Sequence, residues 1–485
     1  MTVAVCLQAN FFVWDYGVLD GTGIRWGHFF KQGLIDLSLW ILILGVSLIF
    51  ASWVVRYGVQ LGLMVCTLQF AGALAFIAYL PGNWFLGRQP KTAETVFRFS
   101  REKNVLFIVL DGFGAPTFER LITRKPVMAE MSDGFTFYKN TVSDFPSTLL
   151  SIPAILTGRP FDSSIILGDY FERIFRNESL PVTLRAYGYD SSLVTLQNFC
   201  SFMDSEICSG FTMSFRNQQA LSRRKESLQL LDLALFRAAP QFLKKRIYNN
   251  QRWLLQNMEF LKVRYIGKFD PHLAFVDEFV KKSSALGEQP TFKFYHLLIP
   301  HRPIRFDALC NLLPIQAHPS RAAIHDQAEC ALRFTDRIMT RLKELELYEQ
   351  TMIAIISDHG DKLDYSMYDK KYLAENGLFQ CGRLLPLLLI KPFNQHGPLK
   401  TSNAPVLLSD LPRTVLSELN IPASVPGEII FNLASDDAER VRTVHKLALR
   451  WGLWRLGAGK ETYAGQKRYA VQGNAWDTRS WKVAH

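Results

Sequence analysis

The sequence predicts an α/β protein: an N-terminal transmembrane helical hairpin, then a mostly parallel sheet flanked by helices. Three observations carry this. Two runs near the N-terminus, Leu37–Val55 and Val59–Leu80, contain no charged residue. Four later apolar runs, Asn104–Leu110, Thr291–Leu298, Thr351–Ile356 and Leu384–Ile390, read as buried strands separated by helical patterns such as Arg321–Leu347. Apolar residues make up 48% of the 485, which excludes a disordered chain because so much burial can offset chain entropy.

In chain order, residues 1–33 read as an apolar and interfacial segment. Met1–Val13 is too short to span and lacks a basic leader and a small-residue cleavage site, so it is no signal peptide. It is either re-entrant or the tail of a longer span, with Trp14, Tyr16 and Trp26 at the interface. Residues 34–81 hold two transmembrane helices, since roughly 20 apolar residues cross a hydrocarbon core. The tight turn between them falls at Arg56-Tyr57-Gly58. Buried core helices would show a polar face, and these runs show none. Residues 82–103 read as a polar linker, 104–432 as the main domain, and 433–485 as a C-terminal subdomain that completes the fold. In the last of these, Val441–Arg455 reads as a basic helix, and Arg468–Val471 and Ser480–Val483 as short strands.

Net charge is +11, from 55 Lys+Arg against 44 Asp+Glu. No nucleic-acid motif accompanies it, so nucleic acid is not an expected partner. Ser222–Leu255 gathers Arg223, Arg224, Lys225, Lys244, Lys245, Arg246 and Arg252 among Leu, Phe and Trp. It is either an amphipathic helix packed on the core or a basic, apolar surface on anionic lipid. Seven Cys in a chain of this length form no dense disulfide framework.

Four pieces carry chemistry. Asp111 follows the first strand, in Val109-Leu110-Asp111-Gly112-Phe113, where open α/β sheets bind ligands; taken alone it is also a simple Asp-Gly turn. Thr148 lies in Phe145-Pro146-Ser147-Thr148, at the start of an apolar helical run. A hydroxyl there caps the helix and also stands where an anion binds. Asp358 and His359, in Ser357-Asp358-His359-Gly360-Asp361, end another strand and can share one cation. His296 and His301, five residues apart, end a third. A carboxylate, a hydroxyl, an Asp-His pair and a further His suit a hard or borderline divalent cation.

From about Asn104 to Asn432 these motifs resemble the alkaline-phosphatase/sulfatase superfamily, and within it membrane-anchored phosphoethanolamine and phosphoglycerol transferases, including lipoteichoic-acid-synthase-like enzymes. The resemblance implies an alkaline-phosphatase-like sheet with metal ligands Asp111, Asp358 and His359. It makes Thr148 the nucleophile and a further ligand, by two alignments: nine residues before the Thr of Thr157-Gly158, and five before the Pro of a T-x-x-S-x-P motif. His296 and His301 match paired histidines that touch phosphate or a second metal. The implied cofactor is a divalent ion (Zn, Mn or Mg) in one well-formed site.

Departures from the pattern matter. Thr148 cannot become formylglycine, which disfavours a formylglycine sulfatase. The sulfatase Asp-Asp pair is here Asp111-Gly112, and no His occurs between His359 and His396, which puts a full second metal site in doubt. The resemblance implies a multi-pass protein of the inner (cytoplasmic) membrane with its catalytic domain periplasmic or extracellular, although the Lys and Arg flanking the hairpin would place that domain inside. In an oxidising compartment Cys200 could pair with Cys208 and Cys310 with Cys330; unpaired buried thiols are the other reading. The expected activity is transfer of a phospho-head group through a phosphothreonine, with a membrane lipid as donor or acceptor and an envelope glycan as a further acceptor. A membrane-tethered phosphodiesterase or sulfatase-like ester hydrolase is the alternative, and a non-enzymatic scaffold the third reading.

Overall fold

A computed structural model describes residues 2–16, 24, 26–79, 93–200, 202–204, 206–210, 219–249, 253–257, 270–317, 320–361, 371, 381–422, 424–449 and 463–484. The chain divides into two compact units: residues 1–88 with 216–267, and residues 89–215 with 268–485.

The first unit is helical, with helices Thr2–Asn10, Phe30–Ile49, Ala51–Tyr79, Gln219–Ala238 and Gln241–Tyr248. Two stretches, Trp26–Ile49 and Ala51–Gly72, are long and apolar enough to cross a membrane. The break between them falls at Phe50, which corrects the turn expected at Arg56-Tyr57-Gly58. Nothing in Arg-Tyr-Gly removes a backbone donor, so the helix runs through it. Even at Phe50 the ladder nearly continues: its N–H donates to the Val46 carbonyl at 3.0 Å, and its carbonyl accepts from Val54 at 2.9 Å. The first helix has nine residues, about 14 Å by its rise, too short to span. Asp36, buried in the Phe30–Ile49 helix, accepts hydrogen bonds from the Trp14 indole and the Gln241 N–H, both at 2.9 Å.

The second unit is built on an eight-stranded sheet. Five neighbouring strands, Cys208–Gly210, Asp190–Thr195, Thr291–Leu297, Asn104–Leu110 and Thr351–Ile356, run parallel in that spatial order. Leu388–Lys391 then adds antiparallel, and Thr136–Tyr138 and Lys400–Ser402 complete that edge. The central strand is apolar throughout because both faces are covered: Val105, Phe107 and Val109 enter one core, Leu106, Ile108 and Leu110 the other. The first core holds the Thr148–Thr157 helix; the second holds Ala115–Arg124, Pro271–Lys282 and Arg321–Glu344.

Four further boundaries differ from expectation. The linker read over 82–103 ends in ordered structure, the helix Ala93–Val96 and the strand Arg98–Ser100, which pairs with Ser284–Gly287; residues 80–92 lie outside the described ones. The stretch 104–432 is not one continuous unit, since 216–267 clusters with the N-terminal helices. The strand expected over Leu384–Ile390 is a 3-10 turn, Cys381–Leu384, then the strand Leu388–Lys391, because Leu384 and Leu385 bury beneath the C-terminal sheet. Val441–Leu449 is a strand, not a basic helix. Its β-branched Val441, Thr443 and Val444 favour extended backbone, and exposure alternates from Val441 to Val444, with Arg442 buried and bonded to the Asn140 carbonyl at 2.5 Å. It pairs with Tyr463–Gln472, which pairs with Trp481–Ala484, so the two C-terminal strands fall where expected.

Candidate active site

The carboxyl ends of the central parallel strands converge on one place. Asp111 follows Leu110, His296 stands one residue before the end of its own strand, and Ser357-Asp358-His359 follows Ile356. Register sets Val109 between His296 and Ile356, so the three strand ends are level. Gly112, at φ +73°, turns the chain sharply and aims its N–H at Asp358 Oδ1, 3.2 Å away.

Thr148 is the first residue of the Thr148–Thr157 helix, so the capping position falls to Ser147, whose side chain makes no cap bond. The Thr148 hydroxyl is therefore free to face the strand ends. Its Oγ1 lies 3.5 Å from Asp111 Oδ2 and 3.4 Å from His359 Nε2. Ser151, one turn on, donates to the Asp358 carbonyl at 2.5 Å and ties the helix to the motif.

The imidazoles are set by their backs. His359 Nδ1 meets the Gly360 carbonyl at 2.8 Å and His301 Nδ1 the Arg302 carbonyl at 2.6 Å. A carbonyl only accepts, so each Nδ1 carries a proton, and a neutral His359 keeps its Nε2 as a lone pair. His296 Nε2 lies 3.2 Å from Asp111 Oδ2, and its Nδ1 lies 3.0 Å from Thr195 Oγ1. Burial alone would raise the Asp111 carboxyl, but the imidazoles of His301, His296 and His359 outweigh it and hold Asp111 well below the usual carboxylate range. Burial pushes His359 below its ordinary value, and the Arg383 charge adds to this against Asp358 and Asp111. At neutral pH the site thus offers ionised Asp111 and neutral His359, the states a metal ligand needs.

The donor set fits a cation. Asp111 Oδ1 and Asp358 Oδ2 are fully buried and have no hydrogen-bond partner among the described residues. Both face His359 Nε2, at 3.8 and 3.6 Å. Ligands about 2.1 Å from a tetrahedral ion would stand roughly 3.4 Å apart, close to these separations. Two overlapping groups, Asp111-His301-His359 and Asp111-His296-Asp358, each keep their ligand atoms within 4.8 Å of one another. All six residues expected from the sequence, Asp111, Thr148, His296, His301, Asp358 and His359, therefore meet in one cluster.

Sequence reasoning missed two residues here. Thr195 ends the strand Asp190–Thr195, whose Asp-Ser-Ser start hid it; the short apolar end before a hydroxyl was the available signal. Arg383 places its guanidinium 3.3 Å from His359 Nε2. Its carbonyl accepts from Gly360 N–H at 2.8 Å, and a Cβ on Gly360 would come within 2.2 Å of the Gly382 carbonyl, so only glycine permits this pairing.

A family model described as Sulfatase matches residues 103–421. Solved structures similar to the chain include Ps i-CgsB in complex with k-i-k-neocarrahexaose, at 15% identity and TM-score 0.47, covering 77% of this chain and 83% of that one. A phosphonate monoester hydrolase from Silicibacter pomeroyi is similar at 16% identity and TM-score 0.46, covering 76% and 85%. The lipoteichoic acid synthase LtaP from Listeria monocytogenes is similar at 11% identity and TM-score 0.44, covering 81% and 90%. No curated protein matches the chain.

Proposed function

The chain belongs to the sulfatase family, within a superfamily that acts on phosphate or sulfate esters, and from its site we propose a metal-dependent, membrane-anchored phosphotransferase with Thr148 as nucleophile. The observation that carries this is the Thr148 hydroxyl at 3.5 Å from Asp111 Oδ2 and 3.4 Å from His359 Nε2, beside two unpartnered carboxylate oxygens.

Asp111, Asp358 and His359 would hold a divalent ion (Zn, Mn or Mg), which when bound supplies a positive charge that lowers the Thr148 pKa and offsets charge on the phosphoryl oxygens. The ordered N-terminus of the Thr148 helix fixes the attacking oxygen and turns its positive end toward an anion. The Thr148 hydroxyl gives up its proton to solvent as the Oγ1–P bond forms, and the P–O bond to the leaving alcohol, which takes up a proton, breaks. His301, hydrogen-bonded through Nδ1 to its own loop, stands ready to hold a phosphoryl oxygen or protonate that alcohol. His296, locked between Thr195 and Asp111, positions the carboxylate. Arg383, the cation beside His359, suits an anionic phosphoryl group. The phosphothreonine then passes its group to an acceptor hydroxyl or amine.

Two membrane-crossing helices favour a lipid as donor or acceptor, with an envelope glycan as a further acceptor, because a head group need never leave the bilayer surface. The disulfides Cys200–Cys208 and Cys310–Cys330 favour an oxidising, periplasmic or extracellular placement of the second unit and anchorage in the cytoplasmic membrane. The test is purified protein in vesicles with head-group-labelled phosphatidylethanolamine or phosphatidylglycerol, with and without lipid or glycan acceptors. Label transferred to an acceptor supports the reading. Steady release of free head group without any acceptor supports the hydrolase instead.

A further inference from the structure

We propose that the helix pair Gln219–Ala238 and Gln241–Tyr248 is seated in the surface of an anionic bilayer, its leucine face among the acyl chains and its basic residues at the head groups. The pair is apolar on both sides, burying Phe236, Ile247 and Tyr248 while it also exposes large apolar residues. Its outer face carries Leu230, Leu231, Leu233, Leu235, Phe242 and Leu243, with Leu230 67% and Phe242 59% exposed. Its inner face buries Asp232, Gln241 and Lys244 beside the apolar Phe236, Ile247 and Tyr248. These polar groups are bonded inward: Asp232 accepts from Leu255 N–H at 2.8 Å, Gln241 N–H donates to Asp36 at 2.9 Å, and Lys244 Nζ donates to the Phe236 carbonyl at 2.6 Å. The helix Arg321–Glu344 of the same chain differs, burying Ile324, Ala328, Leu332, Ile338 and Leu342 and exposing charge. Six large apolar side chains exposed within fourteen residues of sequence suit an apolar solvent, not water.

Continuity names the occupant. The pair is pinned to the start of the first membrane-crossing helix: Gln241 lies against Gly33, where a Cβ would stand 3.1 Å from it, and bonds Asp36. The start of a crossing helix lies at the bilayer boundary. Rings collect at the same level, with Phe236 5.4 Å from Tyr16 and 5.9 Å from Trp253, centroid to centroid, as in an interfacial aromatic belt. Arg237, Lys245 and Arg246 are exposed around the leucines, which is the charge pattern of a helix lying on anionic lipid. A second copy of the chain or another protein could also cover such a face; the exposed Phe30, Leu34 and Ile35 at the start of the crossing helix to which the pair is pinned favour lipid.

The test uses the unmodified full chain in vesicles of phosphatidylethanolamine and phosphatidylglycerol doped with a phospholipid bearing a photoactivatable diazirine in its acyl chain, with adducts mapped by mass spectrometry. Adducts are expected on residues 230–243 as well as on the crossing helices, and not on peptides holding Leu286 and Leu309, which are apolar and exposed in the second unit. Exchanging phosphatidylglycerol for phosphatidylcholine should lower the adducts at Phe242 and Leu243 and leave those of the crossing helices unchanged. Labelled crossing helices with an unlabelled 230–243 segment, or equal labelling at Leu286 and Leu309, overturns the proposal. Copy-to-copy crosslinks at Leu231 or Phe242 in place of lipid adducts overturn it too, and equal yields in both lipid mixtures overturn the anionic preference.

Discussion

The guanidinium of Arg383 lies 3.3 Å from His359 Nε2, the nitrogen that faces Asp111 and Thr148. His359 keeps its proton on Nδ1, so Arg383 donates and Nε2 accepts. A divalent ion at Nε2 would displace that donor and release the Arg383 guanidinium toward an anionic substrate. Arg383→Ala is expected to lower kcat/KM by about 10²-fold, the cost of losing one preorganised donor, with bound metal unchanged. Arg383→Lys should recover part of the loss. Steady-state kinetics and metal content of the purified variants check both.

The ligand set makes a separate prediction. Asp358→Asn and Asp111→Asn should each lose bound metal on dialysis while the fold persists, because each removes one of the two unpartnered buried oxygens. Thr148→Ala should retain metal, since the three remaining ligands are untouched. Elemental analysis of the three variants against the wild type decides this.

The two disulfides belong to the second unit, and Cys6, Cys66 and Cys381 form no disulfide. Alkylation of the unreduced, denatured chain should mark those three and no others. Burial raises the Cys381 thiol to about 12, so it should stay unmodified until the chain unfolds. Removing Cys310–Cys330, which closes 20 residues, should cost about 3 kcal/mol. Urea denaturation of the double-alanine variant measures it.

Asp144 gives the pH prediction. Burial raises its carboxyl to about 7, with the Asp410 charge adding to this against the Ser409 hydrogen bonds. Between its unfolded value of about 4 and that folded value, the unfolded state has lost the proton and the folded state retains it. The stabilisation is thus fully present below about pH 4 and is lost as pH rises to about 7. Asp144→Asn should flatten that part of the stability curve, and the same part of the wild-type curve should slope downward.

The cluster of candidate residues was legible because its strand-end members stand beside uninterrupted apolar runs. Asn104–Leu110 and Thr351–Ile356 are covered on both faces, so their sequence is apolar throughout and their ends announce Asp111 and Asp358-His359. Asp190–Thr195 was not legible, since Ser191 and Ser192 are buried polar groups and only the fold supplies their partners. Arg383 was hidden for another reason: it reaches His359 through the Gly360–Arg383 backbone pairing, a contact between residues far apart in the chain that no motif records. Val441–Leu449 shows the limit of charge spacing, because Arg442 is drawn inward by carbonyls that no local pattern reveals. The break at Phe50 rather than at Arg56 likewise reflects a helix that tolerates one glycine and one cation when nothing interrupts its ladder.

The most direct test is rapid acid quench of the wild-type protein turning over a labelled phosphodiester, followed by peptide mapping. Label is expected as a phosphoester on Thr148, absent from Thr148→Ala, which should also lose turnover while keeping its metal. Turnover undiminished in Thr148→Ala, or label on a different residue, would contradict the assignment of Thr148 as the nucleophile beside Asp111 and His359.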